Sequence, residues 1–348
     1  MNPLVLAIIL LALFLGTAIT VASSHWLIAW IGLELNTLAI LPLMMQRPHP
    51  RAVEATTKYF LTQAAAAATL LFAATMNAWI TGQWDIQQMT HPLPTTIATL
   101  ALAMKVGLAP THFWLPEVLQ GLDLTTGLIL STWQKIAPFA LLVQIPQHSP
   151  ALLVVLGIMS TLVGGWGGLN QTQLRKVLAY SSVAHLGWMA LILQFSFPLT
   201  LMTLALYFTM TFSAFNIFKV NSSLTINTLA LSWTKVPALT ALAPLVLLSL
   251  GGLPPLSGFM PKWLIIHELT KQGLALTATV AALSALLSLY FYLRISYALT
   301  LTMPPNTPPG LSPWRLPPAQ LLFPTTIAVA TTIMLLPLTP LMTALFAP

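Results

Sequence analysis

Gly107-Leu108-Ala109-Pro110-Thr111-His112-Phe113-Trp114-Leu115-Pro116 and Gly252-Leu253-Pro254-Pro255-Leu256-Ser257-Gly258-Phe259-Met260-Pro261 are two copies of one pattern, in which the glycine, the leucine and two prolines recur at the same spacing. Each copy lies inside a long apolar segment. Each has a lysine close by, Lys105 before the first and Lys262 after the second. Proline removes a backbone donor and clashes with the preceding turn, so each copy is expected to break a helix. In lipid, backbone freed in this way is tolerated only against protein or a water-filled cavity. A helix-breaking motif repeated in two membrane segments, beside charge, points to a transport site.

Composition supports the membrane reading. Only 5% of the 348 residues are charged and 57% are hydrophobic, with a mean hydropathy of +0.85. A soluble domain carries about 25% charged residues. The chain contains no cysteine, which excludes disulfides, thiolate-held iron–sulfur clusters, zinc–cysteine sites and cysteine nucleophiles. The net charge of +7 is spread along the chain rather than gathered into a stripe, so no nucleic acid is expected as a partner. Met1-Asn2-Pro3 runs directly into an apolar stretch that is too long for a signal peptide and lacks a basic flank. That stretch is expected to be retained as a span.

The apolar segments read as about eleven spans of about 20 residues each, at 3–22, 25–45, 52–80, 94–118, 122–146, 150–170, 175–195, 198–220, 236–271, 275–300 and 323–345. The ninth is too long for one straight crossing, as a break at 251–261 requires. The expected architecture is therefore an all-α polytopic membrane protein with two discontinuous helices, forming a single transmembrane domain over 1–348. The fourth and ninth spans differ by an odd number of crossings, so the two breaks are expected to run in opposite senses. This makes inverted five-helix repeats of halves at about 1–146 and 150–300, followed by a C-terminal helix at 323–345. A fainter echo is Tyr59-Phe60 in the third span and Tyr207-Phe208 in the eighth. Arg47, Arg51, Arg175, Lys176, Lys219, Lys235, Arg294 and Arg315 fall on the side of the N-terminus, against Lys271 and Asp85 opposite. This asymmetry places the N-terminus on the side of synthesis.

A few charges lie within spans. Glu34 is in the middle of the second, Lys105 is two residues before the first break, Lys135 is in the middle of the fifth and Lys262 follows the second break. Each such charge costs about 2.5–3.5 kcal/mol on insertion scales, so these groups must pair, neutralise or meet water. A lysine held between burial and a nearby carboxylate is poised between two protonation states, which is the chemistry a proton relay needs. A static buried pair of Glu34 with a lysine, and snorkelling of Lys262 toward an interface, are the plainer alternatives. His112, inside the first break, and His185, beside Ser181 and Ser182, are candidate proton carriers or interhelical hydrogen bonders. His25, His49, His91, His148 and His267 fall near span ends and read as interfacial, and Glu54 with Lys58 reads as a helix-start pair. Nucleotide-binding motifs and nucleophile–base constellations are absent from the sequence.

The stretches His25-Trp26-Leu27-Ile28-Ala29-Trp30-Ile31-Gly32-Leu33-Glu34-Leu35-Asn36, Lys105–Glu117 and Gly251–Trp263 closely resemble the subunit 2 family of mitochondrial NADH dehydrogenase, antiporter-like membrane-arm subunits of respiratory complex I. The resemblance covers essentially the whole chain. Many members of the wider family have fourteen helices, and this chain resembles a shortened form without the first three. The resemblance implies a proton relay of Glu34, Lys105, Lys135 and Lys262, with central histidines at His112 and His185. It implies proton translocation coupled to NADH oxidation and ubiquinone reduction in other subunits, which would bind the NADH, flavin, iron–sulfur clusters and ubiquinone. No cofactor and no metal is then expected in this chain. The implied partners are other membrane-arm subunits and the lipid bilayer, with cardiolipin among its lipids. The implied location is the mitochondrial inner membrane, multi-pass, with the N-terminus in the matrix. Two further classes stay open. A stand-alone cation/proton exchanger would show a carboxylate-rich site where lysines dominate here, and a membrane scaffold would carry the same charges idle.

Overall fold

The computed structural model describes residues 2–146, 150–234, 236–302, 322–338 and 344. His148, Lys235, Arg315, the Pro-rich stretch 303–318 and the end of the expected last span lie outside the described residues. Within them the chain is helical, apart from loops, short 3-10 turns and two isolated backbone bridges. Among the described residues seven helical stretches, with Leu124–Gln144 counted as one, are long and apolar enough to cross a membrane. The other expected spans fall on shorter apolar or broken helices and on Leu174–Ile192.

The chain divides into two compact units, Met1–Leu156 and Gly157–Pro348. The first holds α1 (Pro3–Ala22), α2 (Trp26–Met44), α3 (Pro50–Thr81), α4 (Pro92–Val106), α5 (Trp114–Gly121), α6 (Leu124–Ser131), α7 (Trp133–Gln144) and the start of α8 (Pro150–Gly168). The second holds the rest of α8, then α9 (Leu174–Ile192), α10 (Phe197–Val220), α11 (Ile226–Ala230), α12 (Pro237–Gly251), α13 (Phe259–Lys271), α14 (Ala275–Leu301) and α15 (Leu322–Met334).

Local chemistry sets the helix starts. Pro3, Pro50 and Pro92 open α1, α3 and α4, where a missing donor costs nothing. The histidines that read as interfacial have a specific task there. The side chains of His25, His49 and His91 accept from the amides of Leu27, Arg51 and Leu93 at 3.2, 3.2 and 3.3 Å, capping α2, α3 and α4.

Packing between helices relies on small residues, as expected where lipid gives no hydrophobic drive for association. A Cβ on Gly32 of α2 would lie 2.9 Å from the Gly16 carbonyl of α1. In the second unit a Cβ on Gly187 of α9 would lie 2.9 Å from the Gly157 carbonyl of α8. The units also share a backbone device. Trp26 N donates to Trp84 O at 3.0 Å and Ile86 N to Ser24 O at 2.9 Å, tying the start of α2 to the chain after α3. Leu174 N to Leu224 O at 3.0 Å and Ile226 N to Thr172 O at 3.2 Å do the same for α9 and the chain after α10.

Both breaks are present. α4 stops at Gly107 (φ 90°) and α12 at Gly252 (φ 79°). Each stop is closed by a six-to-one bond, Leu108 N to Ala103 O at 2.9 Å and Leu253 N to Leu248 O at 3.2 Å. This left-handed glycine closure satisfies carbonyls that would otherwise be orphaned. The peptide bonds before Pro110 and Pro255 are cis. Helix resumes at Trp114 and Phe259. One expectation needs correction. The fifth span is not a single helix but α6 and α7, interrupted at Thr132, whose hydroxyl donates to Leu128 O at 2.7 Å. Pro138 inside α7 withdraws the donor for the Gln134 carbonyl, so regular bonding is weakened on both sides of Lys135.

Candidate functional site

Two of the candidate lysines meet in the first unit. Lys105 occupies the last turn of α4, where a cation complements the negative helix end. Its Nζ lies 3.7 Å from Glu34 Oε1 on α2, with the lysine side chain 2% exposed and the glutamate 23%. That separation is Coulombic contact rather than a hydrogen bond. Glu34 is held from its own helix by Thr37, whose hydroxyl lies 3.2 Å from Oε2 and 2.9 Å from the Glu34 carbonyl.

Lys135 enters in the first turn of α7 and is buried. Lys105 and Lys135 line the same small cavity of about 20 Å³ with Asn36, Thr37, Tyr59 and Gln134. A space of roughly 10–15 Å³ admits a water, so this cavity is large enough for one. Its walls are fixed by bonds to backbone carbonyls. Gln134 Nε2 donates to Asn36 O at 3.2 Å, holding α7 on α2, and Trp114 Nε1 donates to Met104 O at 3.1 Å, folding the first break over the end of α4. Tyr59 stacks edge-on against Trp114 with ring centroids 5.7 Å apart.

His112 is buried inside the first break, where its ring bonds the Pro110 carbonyl and lies 4.4 Å from the Phe113 ring. It does not line the cavity. On geometry its first role is to hold the break.

In the second unit Lys262 does not snorkel. It starts from the first turn of α13 but folds back across the break, so that Nζ donates to Gly251 O at 2.6 Å. Its aliphatic stem covers Gly252, where an added Cβ would meet Lys262 Cδ at 2.8 Å. The ammonium thus caps the carboxyl end of α12. Gly258 closes the same loop: a Cβ there would collide with the Ser249 carbonyl oxygen, which no side chain tolerates. Ser257 Oγ anchors the loop to Thr332 O of α15 at 2.6 Å. His185 is half-buried on α9, with its ring 5.6 Å from that of Tyr207 on α10.

Two features went unread in the sequence. Lys58 pairs with Glu54 at 2.6 Å as expected, but also with Glu117 at 2.7 Å, tethering α5 to α3 beside the first break. Tyr59 and Tyr207, whose echo carried little weight by itself, are both buried at polar centres of their units. A tyrosine on an apolar face gives no sequence signal that separates these roles from packing.

Residues 23–288 match the family model described as NADH:quinone oxidoreductase/Mrp antiporter, transmembrane, and residues 289–343 that of the NADH dehydrogenase subunit 2 C-terminus. The chain is 69% identical over 346 residues to NADH-ubiquinone oxidoreductase chain 2 of Tetraodon nigroviridis, covering 99% of each. Among solved structures it is similar to a chain of respiratory complex I from Thermus thermophilus with bound aureothin, with a TM-score of 0.85 and 29% identity over 97% of this chain and 78% of that one. It shares its fold with a chain of the Mrp complex from a Dietzia species, with a TM-score of 0.83 and 18% identity over 97% and 76% of the two chains.

Proposed function

The chain belongs to the NADH:quinone oxidoreductase/Mrp antiporter family, in its NADH dehydrogenase subunit 2 branch, and on that premise we propose that it conducts protons through the membrane arm of complex I by way of its buried Glu/Lys groups. It is an antiporter-like membrane subunit of NADH:ubiquinone oxidoreductase, and other complex I subunits are its partners. In our reading those subunits hold the NADH, flavin, iron–sulfur clusters and ubiquinone, and the bilayer with its cardiolipin surrounds about eleven spans. The membrane is the mitochondrial inner membrane, with the N-terminus in the matrix.

The observation that carries this reading is the convergence of Lys105 and Lys135 on one water-sized cavity, with Glu34 at 3.7 Å from the first lysine. Two ammonium charges facing one small cavity repel each other. A proton on one therefore favours release from the other, and the position of Glu34 decides which lysine is neutralised. When the Glu34–Lys105 pair closes, Lys135 can hold its proton. When the pair opens, Lys135 gives it up. We assign Lys262 to proton exchange at the second break, where its attachment to a carbonyl rather than a carboxylate leaves its charge uncompensated by an acid. His112 and His185 act as relay groups in their own units.

The test is proton flux in assembled complex with Lys135→Ala. Loss of flux at normal assembly is the expected result. Unchanged flux would favour an idle scaffold.

A further inference from the structure

We propose that Asn36 and Gln134 are positioning residues for Lys135: together they dock the first turn of α7 on α1 and α2 and so fix where the Lys135 ammonium stands. The proposal rests on the proton-conducting reading above and adds two residues to it.

Regular helix does little to place Lys135. The α6–α7 interruption lies just before it, and Pro138 just after it withdraws the donor for the Gln134 carbonyl. Thr132, at the head of α7, makes no capping bond with its side chain. Side chains supply what the ladder lacks. Trp133, Gln134 and Lys135 are consecutive, and each engages a different neighbour. Trp133 Nε1 reaches Leu13 O of α1 at 3.5 Å, and its ring lies 6.3 Å from that of Phe14. Gln134 Nε2 donates to Asn36 O of α2 at 3.2 Å. Lys135 lines the cavity that it shares with Lys105.

Asn36 is the node of this dock. It is 2% exposed, and its side-chain amide bonds to both ends of one rung of the α1 ladder: the nitrogen donates to Leu13 O at 2.8 Å and the oxygen accepts from Thr17 N at 3.3 Å. A Cβ on Gly16 would come within 2.6 Å of that amide, so a glycine there is what admits it. Leu13 O therefore receives both the Asn36 amide and the Trp133 indole. A buried polar network with its bonds made is rigid, and rigid neighbours are what hold a working side chain in its productive place. Asn36 also follows Glu34 closely on α2. A shift of α2 that opens the Glu34–Lys105 pair moves the carbonyl that holds Gln134, so the state of the pair passes to Lys135 through the backbone of α2 and one side-chain bond. The plainer role for such amides is interhelical glue, and the experiment separates the two.

The experiment is a Gln134→Met variant of the whole complex in phospholipid vesicles, with proton flux per NADH oxidised recorded across a range of pH. Methionine keeps the length of the side chain and removes the Nε2 donor. A misplacement of about 1 Å can cost about 100-fold in rate, so a fall in flux per NADH of at least about tenfold is expected. The pH profile of the remaining flux should also be displaced, because Lys135 then stands differently toward the titratable groups around it, Lys105 of α4, Glu34 of α2 and Tyr59 of α3. Unchanged flux overturns the proposal. So does a variant that assembles less well but carries normal flux per NADH, because Gln134 would then only brace α7. A fall in flux with an unmoved pH profile also counts against it, since the lysine would not have been displaced. If Gln134→Met fails to assemble, Trp133→Phe, which keeps an aromatic ring and removes the indole donor to Leu13 O, is read by the same criteria. Lys135→Ala in the same vesicles separates the two levels. Flux lost there but kept in the Gln134 variant overturns this inference alone. Flux kept with Lys135→Ala overturns the parent reading, and with it any action through Lys135.

Discussion

Lys105 and Glu34 form the one ion pair among the described residues in which both partners sit away from open solvent. Pairs of this kind add little net stability, because desolvation offsets attraction, but removing one partner leaves a stranded charge. Lys105→Ala is therefore expected to destabilise the first unit by about 3 kcal/mol and to lower proton flux in whatever complex assembles. Native-gel assembly and vesicle pumping measured on the same preparation check this. Full pumping in fully assembled Lys105→Ala complex would end the idea of a working pair. The pairing of Lys105 with a glutamate was legible in the sequence, since two opposite charges in neighbouring apolar spans have few other partners. The reach of Lys262 back to Gly251 was not, because a side chain bonding to a carbonyl eleven residues earlier needs the loop geometry before it can be seen.

At the scale of elements, the two breaks are the part of the fold most plainly written in the sequence. Their glycines and prolines act on the backbone whatever surrounds them. Within the second break the two adjacent glycines have different duties. Gly252 stands at φ 79° under the stem of Lys262, whereas Gly251 is helical and a Cβ there would meet neighbours only at ordinary contact distance. Gly252→Ala is expected to cost about 1–2 kcal/mol of left-handed strain and, in addition, to push Lys262 off its carbonyl, depressing flux. Gly251→Ala should be tolerated to within about 1 kcal/mol. Thermal inactivation and flux of the two variants compared side by side decide this, and equal behaviour would contradict the assignment. Other elements left weaker traces. The interruption between α6 and α7 turns on Thr132, a residue equally at home in a continuous helix, so the fifth span reads as unbroken. The bridges that tie the starts of α2 and α9 to the chain after α3 and α10 use only backbone atoms and have no side-chain signature.

The whole molecule is two units built on one plan, each with a glycine-packed opening pair, a backbone bridge and a broken helix beside a lysine. The plan is repeated but the chemistry differs. The first unit sets two lysines round a cavity with a carboxylate beside one of them, while the second folds one lysine back over its break and sets a histidine against a buried tyrosine. The central claim is that Lys135 carries a proton rather than holding a fixed charge, and Lys135→Arg probes it. Arginine keeps the positive charge but cannot release a proton, its pKa lying above about 12. A fixed counter-ion would tolerate arginine and fail only with alanine, whereas a carrier fails with both. The decisive measurement is proton flux per NADH oxidised in vesicles containing equal amounts of assembled wild-type, Lys135→Arg and Lys135→Ala complex. Loss of flux in both variants is the predicted result, and an arginine variant that pumps like wild type would contradict the account.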